Sequence, residues 1–586
     1  MTTYQPLPQY APISYPTLES VKSSILTSID EYIAVDTETT GLKWIEDRAF
    51  GVAIAWDDKA VFLRNTDFGA ENIGVMLTDV FAAPNKTFVF HNAEFDLHMI
   101  RETYGTLPPK NILDTLRLSH LRDSSSSHGV KDLASMEFGP SATASEDTIK
   151  TYMTQYRLKN YSYVPSEFMD PYACYDVVFT KALAYLYIDE IRENYPSLLM
   201  LEHKLIPVIL DMEQRGIKVD LEYAVLLHRQ LKAEQRDILD EVYGIVGRPI
   251  EIGSTKQLQG YFYDQLRIPP PRETKSGGRS TDEKALDVIK NQNIEGSKVA
   301  ELVLRWRAID KADSTYVQAY QKLANNGRIH SHFNACGPIT GRLSSSSPNL
   351  QQVPADPKIR RLFVPDQEFF DFDYSQIEMR VAAHASQEQS MIKILNDGTD
   401  LHHYTASLVY GQSPTKDQRQ IGKKLNFGSL YGGGSKKLAL EAGITEDQSR
   451  YLLNKFWSAY PLLRQFITKQ KYRAEQRGYV KTLYGRKVPV NPDDSYKAIN
   501  YIIQGTAGDM LKISLYNTWC YLDSIGGRIR NTVHDSITVD EIEETEVPKI
   551  KSVMEDFNDS SNGKFCVPIL VDMKRSKNSW GDMLDE

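Results

Sequence analysis

Short runs of alternating apolar and polar residues fill the first hundred positions. "EYIAVDTET" (31–39), "FGVAIAWDDKAVFLRN" (50–65) and "KTFVFHN" (86–92) read as strands, and helical spacing as at 176–192 follows them. This alternation predicts an α/β domain over residues 1–197. From 198 the apolar period lengthens to that of helices. "MLEHKLIPVILDMEQRG" carries Gly216 as its stop, and "LEYAVLLHRQLKAEQRDILDEVYGIV" follows it. The Pro, Gly and Ser density of "RIPPPRETKSGGRSTDE" (267–283) marks an exposed tip. Residues 330–395 and 490–586 return to β-rich mixed segments, bracketing a helical block at 396–489. No internal repeat is visible.

Composition adds little to this picture. A chain of 586 residues with 41% hydrophobic and 25% charged residues is too long for one core and too apolar for disorder, so several domains are expected. Cys174, Cys336, Cys520 and Cys566 lack paired spacing, which predicts core thiols rather than a disulfide framework or zinc site. No signal-like N-terminus or membrane-length apolar run occurs, so a soluble, cytoplasmic protein is expected. The net charge of -9 does not announce a nucleic-acid binder, but basic residues cluster at 416–424, 469–487 and 573–577.

Candidate chemistry starts with Asp36 and Glu38, two apart on a predicted strand and therefore on one face. Such a pair is costly without a cation between its members. Asp96 follows the strand-like run at 86–92, and Tyr172 and Asp176 stand one helical turn apart. Four carboxylates and a tyrosine can bind two divalent cations for phosphodiester hydrolysis. Asp114 reads instead as a helix N-terminal cap or supporting residue. Asp36-x-Glu38, Asn92-x-x-Phe95-Asp96 and Tyr172-x-x-x-Asp176 together resemble the three motifs of the DnaQ-like 3′-to-5′ proofreading exonucleases. The resemblance covers residues 25–195 and implies Asp36, Glu38, Asp96 and Asp176 as ligands of two Mg²⁺ or Mn²⁺ ions, with Tyr172 positioning the attacking water.

A lone carboxylate, Asp535, sits between two β-like segments in "NTVHDSITVD" (531–540). Its best partner is Asp373, at the end of the β-type run opening "EFFDFDYSQIEMR" (368–380). Between them, Arg419, Lys423, Phe427 and Tyr431 recur every fourth residue and form one helical stripe, ended by Gly432-Gly433-Gly434. Two cations and two aromatics so arranged suit a triphosphate and a nucleoside.

"DYSQIEMR", "RQIGKKLNFGSLYG" and "VHDS" resemble motifs A, B and C of the family A, or DNA polymerase I-type, DNA polymerases. The likeness extends from 198 to the end through "GSTKQL", "TGRLSSSSPNLQQVP", "DLHHYTA", "NYIIQGTAGDM" and "SKNSWG". It implies an RNase H-like exonuclease domain (1–197) followed by an open right hand, with thumb 198–330, palm 331–395 and 490–586, and fingers 396–489. It further implies that Asp373, Asp535 and the Tyr374 carbonyl hold two Mg²⁺. Arg419, Lys423 and His402 would grip phosphates, with Lys423 protonating the leaving group. Gln376, Phe427 and Tyr431 would complete the nucleotide site, and Glu378 would exclude a ribose hydroxyl. Arg342, Asn500, Gln504 and His534 would contact the primer–template minor groove.

The resemblance is incomplete at three positions. Ser536 stands where the family usually has Glu, Tyr496 where Arg is common, and Gln352 where Asn is usual. The expected protein is a monomeric replicative DNA polymerase with proofreading, acting on primer–template DNA and dNTPs. Helicase and single-strand binding protein are possible replisome partners. The absence of a preceding flap-nuclease region and of a long thumb insertion reads as phage-type, which would place the protein in a host cytoplasm. The competing readings are a single-subunit RNA polymerase, against which Glu378 and the exonuclease motifs speak, and an exonuclease with a DNA-holding C-terminal region.

Overall fold

The computed structural model describes residues 4–13, 16–292, 294–557 and 564–585. The N-terminal region is built on a six-stranded sheet of β1 (Ala11–Pro12), β2 (Tyr32–Thr39), β3 (Ala49–Trp56), β4 (Lys59–Arg64), β5 (Thr87–Phe90) and β6 (Ile112–Asp114), in the order β1-β4-β3-β2-β5-β6. β2 runs antiparallel to β3 and parallel to β5. It is buried on both faces, so its residues alternate between two cores. Ile33 and Val35 face α1 (Ala93–Tyr104), whereas Tyr32 and Ala34 join the opposite core with α2 (Thr115–Arg122), α3 (Val130–Phe138) and α4 (Ser166–Asn194).

α5 (Pro196–Arg215) is shared among three cores. Leu198 and Leu201 pack with the α4 side, Ile206 and Leu210 with the α1 side, and Leu205, Val208, Ile209 and Met212 with the C-terminal sheet. The helical character expected from 198 is present in α5, and a separate core starts at Ile217 around α6 (Leu221–Val246). Gly216 ends α5 as expected, with φ of 57°. The 267–283 segment holds no helix or strand before Glu283, where a helix begins, and is mostly exposed.

The C-terminal sheet places β7 (Phe369–Tyr374) at its centre. α7 (Ile377–Ser386) follows β7 directly, and five helices, among them α8 (Leu401–Tyr410) and α9 (Lys416–Leu430), form the expected helical block. The chain then returns through α10 (Ala498–Ile525) to β8 (Arg528–Val533), β9 (Ser536–Asp540), β10 (Val571–Ser576) and β11 (Leu584–Asp585), giving the order β8-β9-β7-β10-β11. The β-rich reading of 490–586 missed α10, whose 28 residues include Gly505 and Gly508 and many β-branched side chains. Tertiary contact overrides that weak propensity. A Cβ at Gly505 would lie 3.1 Å from the Thr340 carbonyl, and one at Gly508 would lie 2.9 Å from the Arg342 side chain.

Two smaller expectations need correction. Cys174 and Cys336 are buried, but Cys566 is half-buried and Cys520 exposed, so not all four are core thiols. Tyr431 caps α9 rather than lying within it. Among the described residues, no helix is long and apolar enough to cross a membrane.

Candidate active sites

The two-faced burial of β2 sorts the first carboxylate cluster. Asp36 and Glu38 share the face of Ala34 and meet α4, which presents Tyr172 and Asp176 one turn apart. One carboxylate oxygen from each of Asp36, Glu38 and Asp176 lies within 4.8 Å of the others. Burial pushes Asp36 up to about 6 and Glu38 well above the carboxylate range, with Asp36 raising Glu38 further. Glu38 Oε1 is buried without a hydrogen-bond partner.

Asp96 lies outside this trio but close to it: burial and then Asp36 raise it well above the carboxylate range, and Thr37, between the two acids, faces it on the α1 side. Its backbone N–H and hydroxyl donate to Asp96 Oδ1 at 2.8 and 2.6 Å. Asp114 caps α2 through the Leu116 amide at 2.8 Å, as expected. It also accepts from the Asn92 and Ala93 amides at the start of α1, thereby fixing the helix that carries Asp96. Sequence reasoning missed Lys131 on α3. Its ammonium pairs with Asp176 and stands 4.3 Å from the Tyr172 ring centroid, and burial pulls it down to about 8. No spacing pattern links residue 131 to 36 or 176; only the packing of α3 against α4 does.

The second site forms where β7 ends. β8 and β9 are joined by the two-residue turn His534-Asp535, with Val533 opposite Ser536 and His534 at φ 54°. Because β9 is antiparallel to β7 with Ser536 opposite Asp373, the turn brings Asp535 beside Asp373. The Tyr374 amide donates to the Asp535 carbonyl at 3.3 Å and seats the turn. Burial, then Asp371, Asp535 and Asp572, push Asp373 up to about 6; burial also raises Asp535 despite Arg342 and His534.

Both aspartates line a cavity of about 620 Å³ together with Tyr374, Gln376, Glu378, Arg342, His534, His402, Lys423 and Phe427. Glu378 is held from two sides, by Arg342 at 2.7 Å and by the Tyr431 hydroxyl, while Arg342 lies 3.6 Å from Asp535. α8 and α9 pack so closely that a Cβ at Gly422 would meet the His402 carbonyl at 2.4 Å. This contact sets His402 against the Phe427 ring, with centroids 5.5 Å apart. Burial, with Arg419 and Lys423 nearby, lowers His402 to about 4, and its Nδ1 meets the Asn426 amide at 2.8 Å. The imidazole is therefore neutral near pH 7, and with Asn426 donating to Nδ1 its proton sits on Nε2.

Four expected residues do not line the cavity, among them Tyr431, whose hydroxyl meets Glu378 instead. Arg419 is ion-paired with Asp400, its Nε 3.1 Å from Oδ2. Gln504 offers only its backbone carbonyl, to Arg342 at 3.3 Å. Asn500 lies one turn earlier on α10, its Oδ1 buried without a partner. Of the divergent positions, Ser536 is buried beside Asp373, Tyr496 is exposed, and the Gln352 carbonyl accepts from Tyr316.

Comparison with known proteins gives the family. A family described as DNA polymerase family A matches residues 222–582, and one described as 3′-5′ exonuclease matches residues 16–186. The chain is 32% identical over 588 residues to "DNA polymerase I" of Chloroflexus aurantiacus, covering 94% of this chain and 61% of that protein. It is 34% identical over 361 residues to "DNA polymerase I, thermostable" of Thermus caldophilus, covering 58% of this chain and 43% of that protein. The chain thus spans at most about three fifths of these two relatives. Both are bacterial, which does not support the phage-type expectation. A solved structure described as the POL domain of Pol1 from M. smegmatis, in complex with DNA primer-template and dNTP, superposes with a TM-score of 0.79. It shares 25% identity, over 97% of this chain and 99% of that one.

Proposed function

The chain belongs to DNA polymerase family A, and from that membership we propose that it extends a primer 5′-to-3′ with dNTPs on a DNA template and edits the product with a 3′-to-5′ exonuclease. The observation that carries the proposal is the convergence of Asp373 and Asp535 across one strand pair, facing His402, Lys423 and Phe427 over a shared cavity.

The donor sets fit the divalent cations that this chemistry requires. Glu38 Oε1 is a buried acceptor without a partner, and burial raises Asp36, Glu38, Asp373 and Asp535 alike, as expected of sites completed by added positive charge. Two Mg²⁺ per site are proposed, with Mn²⁺ as a substitute. Asp373, Asp535 and the Tyr374 carbonyl would hold them in the polymerase site. Asp36, Glu38 and Asp176 would do so in the exonuclease site, with Asp96 contributing the oxygen that Thr37 leaves free. When bound, such ions activate the attacking oxygen and neutralise the leaving one.

The protein's own groups do the positioning. Lys423 is exposed on the cavity wall, where its ammonium can meet the triphosphate and give a proton to the departing pyrophosphate. Neutral His402 offers Nε2–H to a phosphate oxygen, and the Phe427 ring lies against the nucleoside. Arg419 joins the phosphates by exchanging its Asp400 partner. Glu378, fixed by Arg342 and Tyr431, presents a carboxylate that a 2′-hydroxyl would crowd, which favours DNA over RNA synthesis. Arg342 and His534 flank Asp535 and are positioned for the primer end; Asn500 and Gln504 are proposed to reach the template after α10 side chains adjust. In the exonuclease site, Tyr172 orients the attacking water.

Primer extension on a recessed template tests this reading with deoxy- and ribonucleotides in parallel. Wild type is expected to extend with dNTPs, Asp535→Ala to degrade without extending, and Asp36→Ala to extend without degrading. Extension that survives Asp535→Ala, or a preference for ribonucleotides, would overturn it.

A further inference from the structure

The cavity wall holds a fourth carboxylate, Asp371, that the proposed chemistry has not used. Asp371 and Asp373 are two apart on β7 and so share a face, and the antiparallel registers turn that face into two rows. One row reads Thr538–Asp371–Lys574 across β9, β7 and β10, and the next reads Ser536–Asp373–Asp572. The Thr538 hydroxyl donates to Asp371 Oδ1 at 2.8 Å, and the Ser536 side chain also hydrogen-bonds the Asp371 carboxylate. The small Ser536 beside Asp373 leaves the Asp371 side chain on the cavity wall rather than covering it.

We infer that Asp371 is a positioning residue for the divalent-cation site at Asp373 and Asp535: its carboxylate, oriented by Thr538 and Ser536, adds negative charge beside the site and tightens cation binding. The inference rests on the cation site of the proposed function. A purely structural reading is also explicit in the geometry, since Lys574 and Arg360 lie near enough to Asp371 to balance its charge. The two readings differ in what a neutral isostere does. Loss of a charge-balancing role changes folding stability, whereas loss of a positioning role changes cation affinity.

The test is Mn²⁺ titration of the full chain followed by electron paramagnetic resonance, with Asp36→Ala and Glu38→Ala removing the exonuclease ions. Asp371→Asn is expected to weaken Mn²⁺ binding about tenfold with an unchanged melting temperature. Raising Mg²⁺ should then restore its extension rate, but not that of Asp373→Asn. Adding Ser536→Glu to Asp371→Asn should recover the affinity by returning a carboxylate to the same wall. Mn²⁺ affinity within twofold of the parent for Asp371→Asn would overturn the inference. Unchanged binding in the Asp373→Asn, Asp535→Asn double variant would overturn the proposed cation site itself.

Discussion

The Tyr374 amide donates to the carbonyl of Asp535 at 3.3 Å, so the last residue of one strand fixes the tip of a hairpin more than 150 positions later. That backbone bond does not depend on the Asp535 side chain. Asp535→Ala should therefore leave the melting temperature close to wild type while lowering the extension rate by about 10³-fold, the scale seen when a preorganised charge-stabilising group is lost. Single-turnover extension beside a thermal melt checks both halves.

Without divalent ions, the chain should lose stability as pH rises. Burial lifts Asp36 and Asp373 from an ordinary 3.8 to about 6, so the folded protein holds protons that the unfolded chain releases. Their contribution to stability is fully present below about 4 and is lost as pH climbs through about 6. Melts in chelator should show this fall, Asp36→Asn with Asp373→Asn should flatten it, and Mg²⁺ should oppose it by binding the ionised form.

Lys131 holds Asp176 where a cation would otherwise bind. Lys131→Met removes that competitor and also the charge that lowers Asp36 and Glu38. The expected outcome is a lower melting temperature in chelator near pH 8 and several-fold tighter Mn²⁺ binding at the exonuclease site, read by calorimetry in an Asp373→Asn, Asp535→Asn background.

Phe427 faces the proposed nucleotide position with no hydroxyl to offer. Phe427→Tyr supplies one, which can stand in for a missing sugar 3′-hydroxyl. Incorporation of dideoxynucleotides relative to dNTPs should rise by at least about tenfold; competition primer extension measures the ratio.

A buried ionic knot ties the two halves of the molecule. Glu202 on α5 accepts from Lys512 of α10 at 2.7 and 3.0 Å and from Arg486 of the helical block at 2.5 Å. Its backbone carbonyl accepts from Arg117 of α2 at 2.7 Å. Burial alone would raise the Glu202 carboxyl, but Lys512, Arg486 and Arg117 hold it far below the usual range. Glu202→Gln strands buried cations and should destabilise the chain by about 3–5 kcal/mol. Chemical denaturation checks this, and Lys512→Met should recover part of the loss.

Legibility from sequence followed the range of the physical signal. Asp36 with Glu38, and Tyr172 with Asp176, are near in sequence, and the strand and helix periods alone place each pair on one face. In the sequence only chemical need pairs Asp373 with Asp535, and the strand register is what makes them neighbours. What stayed hidden depended on packing. α10 looked unhelical because its glycines serve close approach rather than propensity. Lys131 carries no local pattern, Asp371 shares a strand face with Asp373 but shows its hydroxyl partners only through the register, and the stripe that holds Arg419 does not reveal Asp400. α5, assigned by period to the helices after it, is shared among three cores that no single-segment pattern can distinguish.

The Glu202 knot also bears on how an error would be corrected. Its members come from α2, α5, the turn that carries Arg486 and α10, so swinging the N-terminal region relative to the C-terminal one would strip several buried charges of their partners. The protein is thus built as a fixed frame with two stations. Under the proposed function it is the nucleic acid that would travel between the two sites, and the fraying of a mispaired terminus's last base pairs would be the step that commits it to removal.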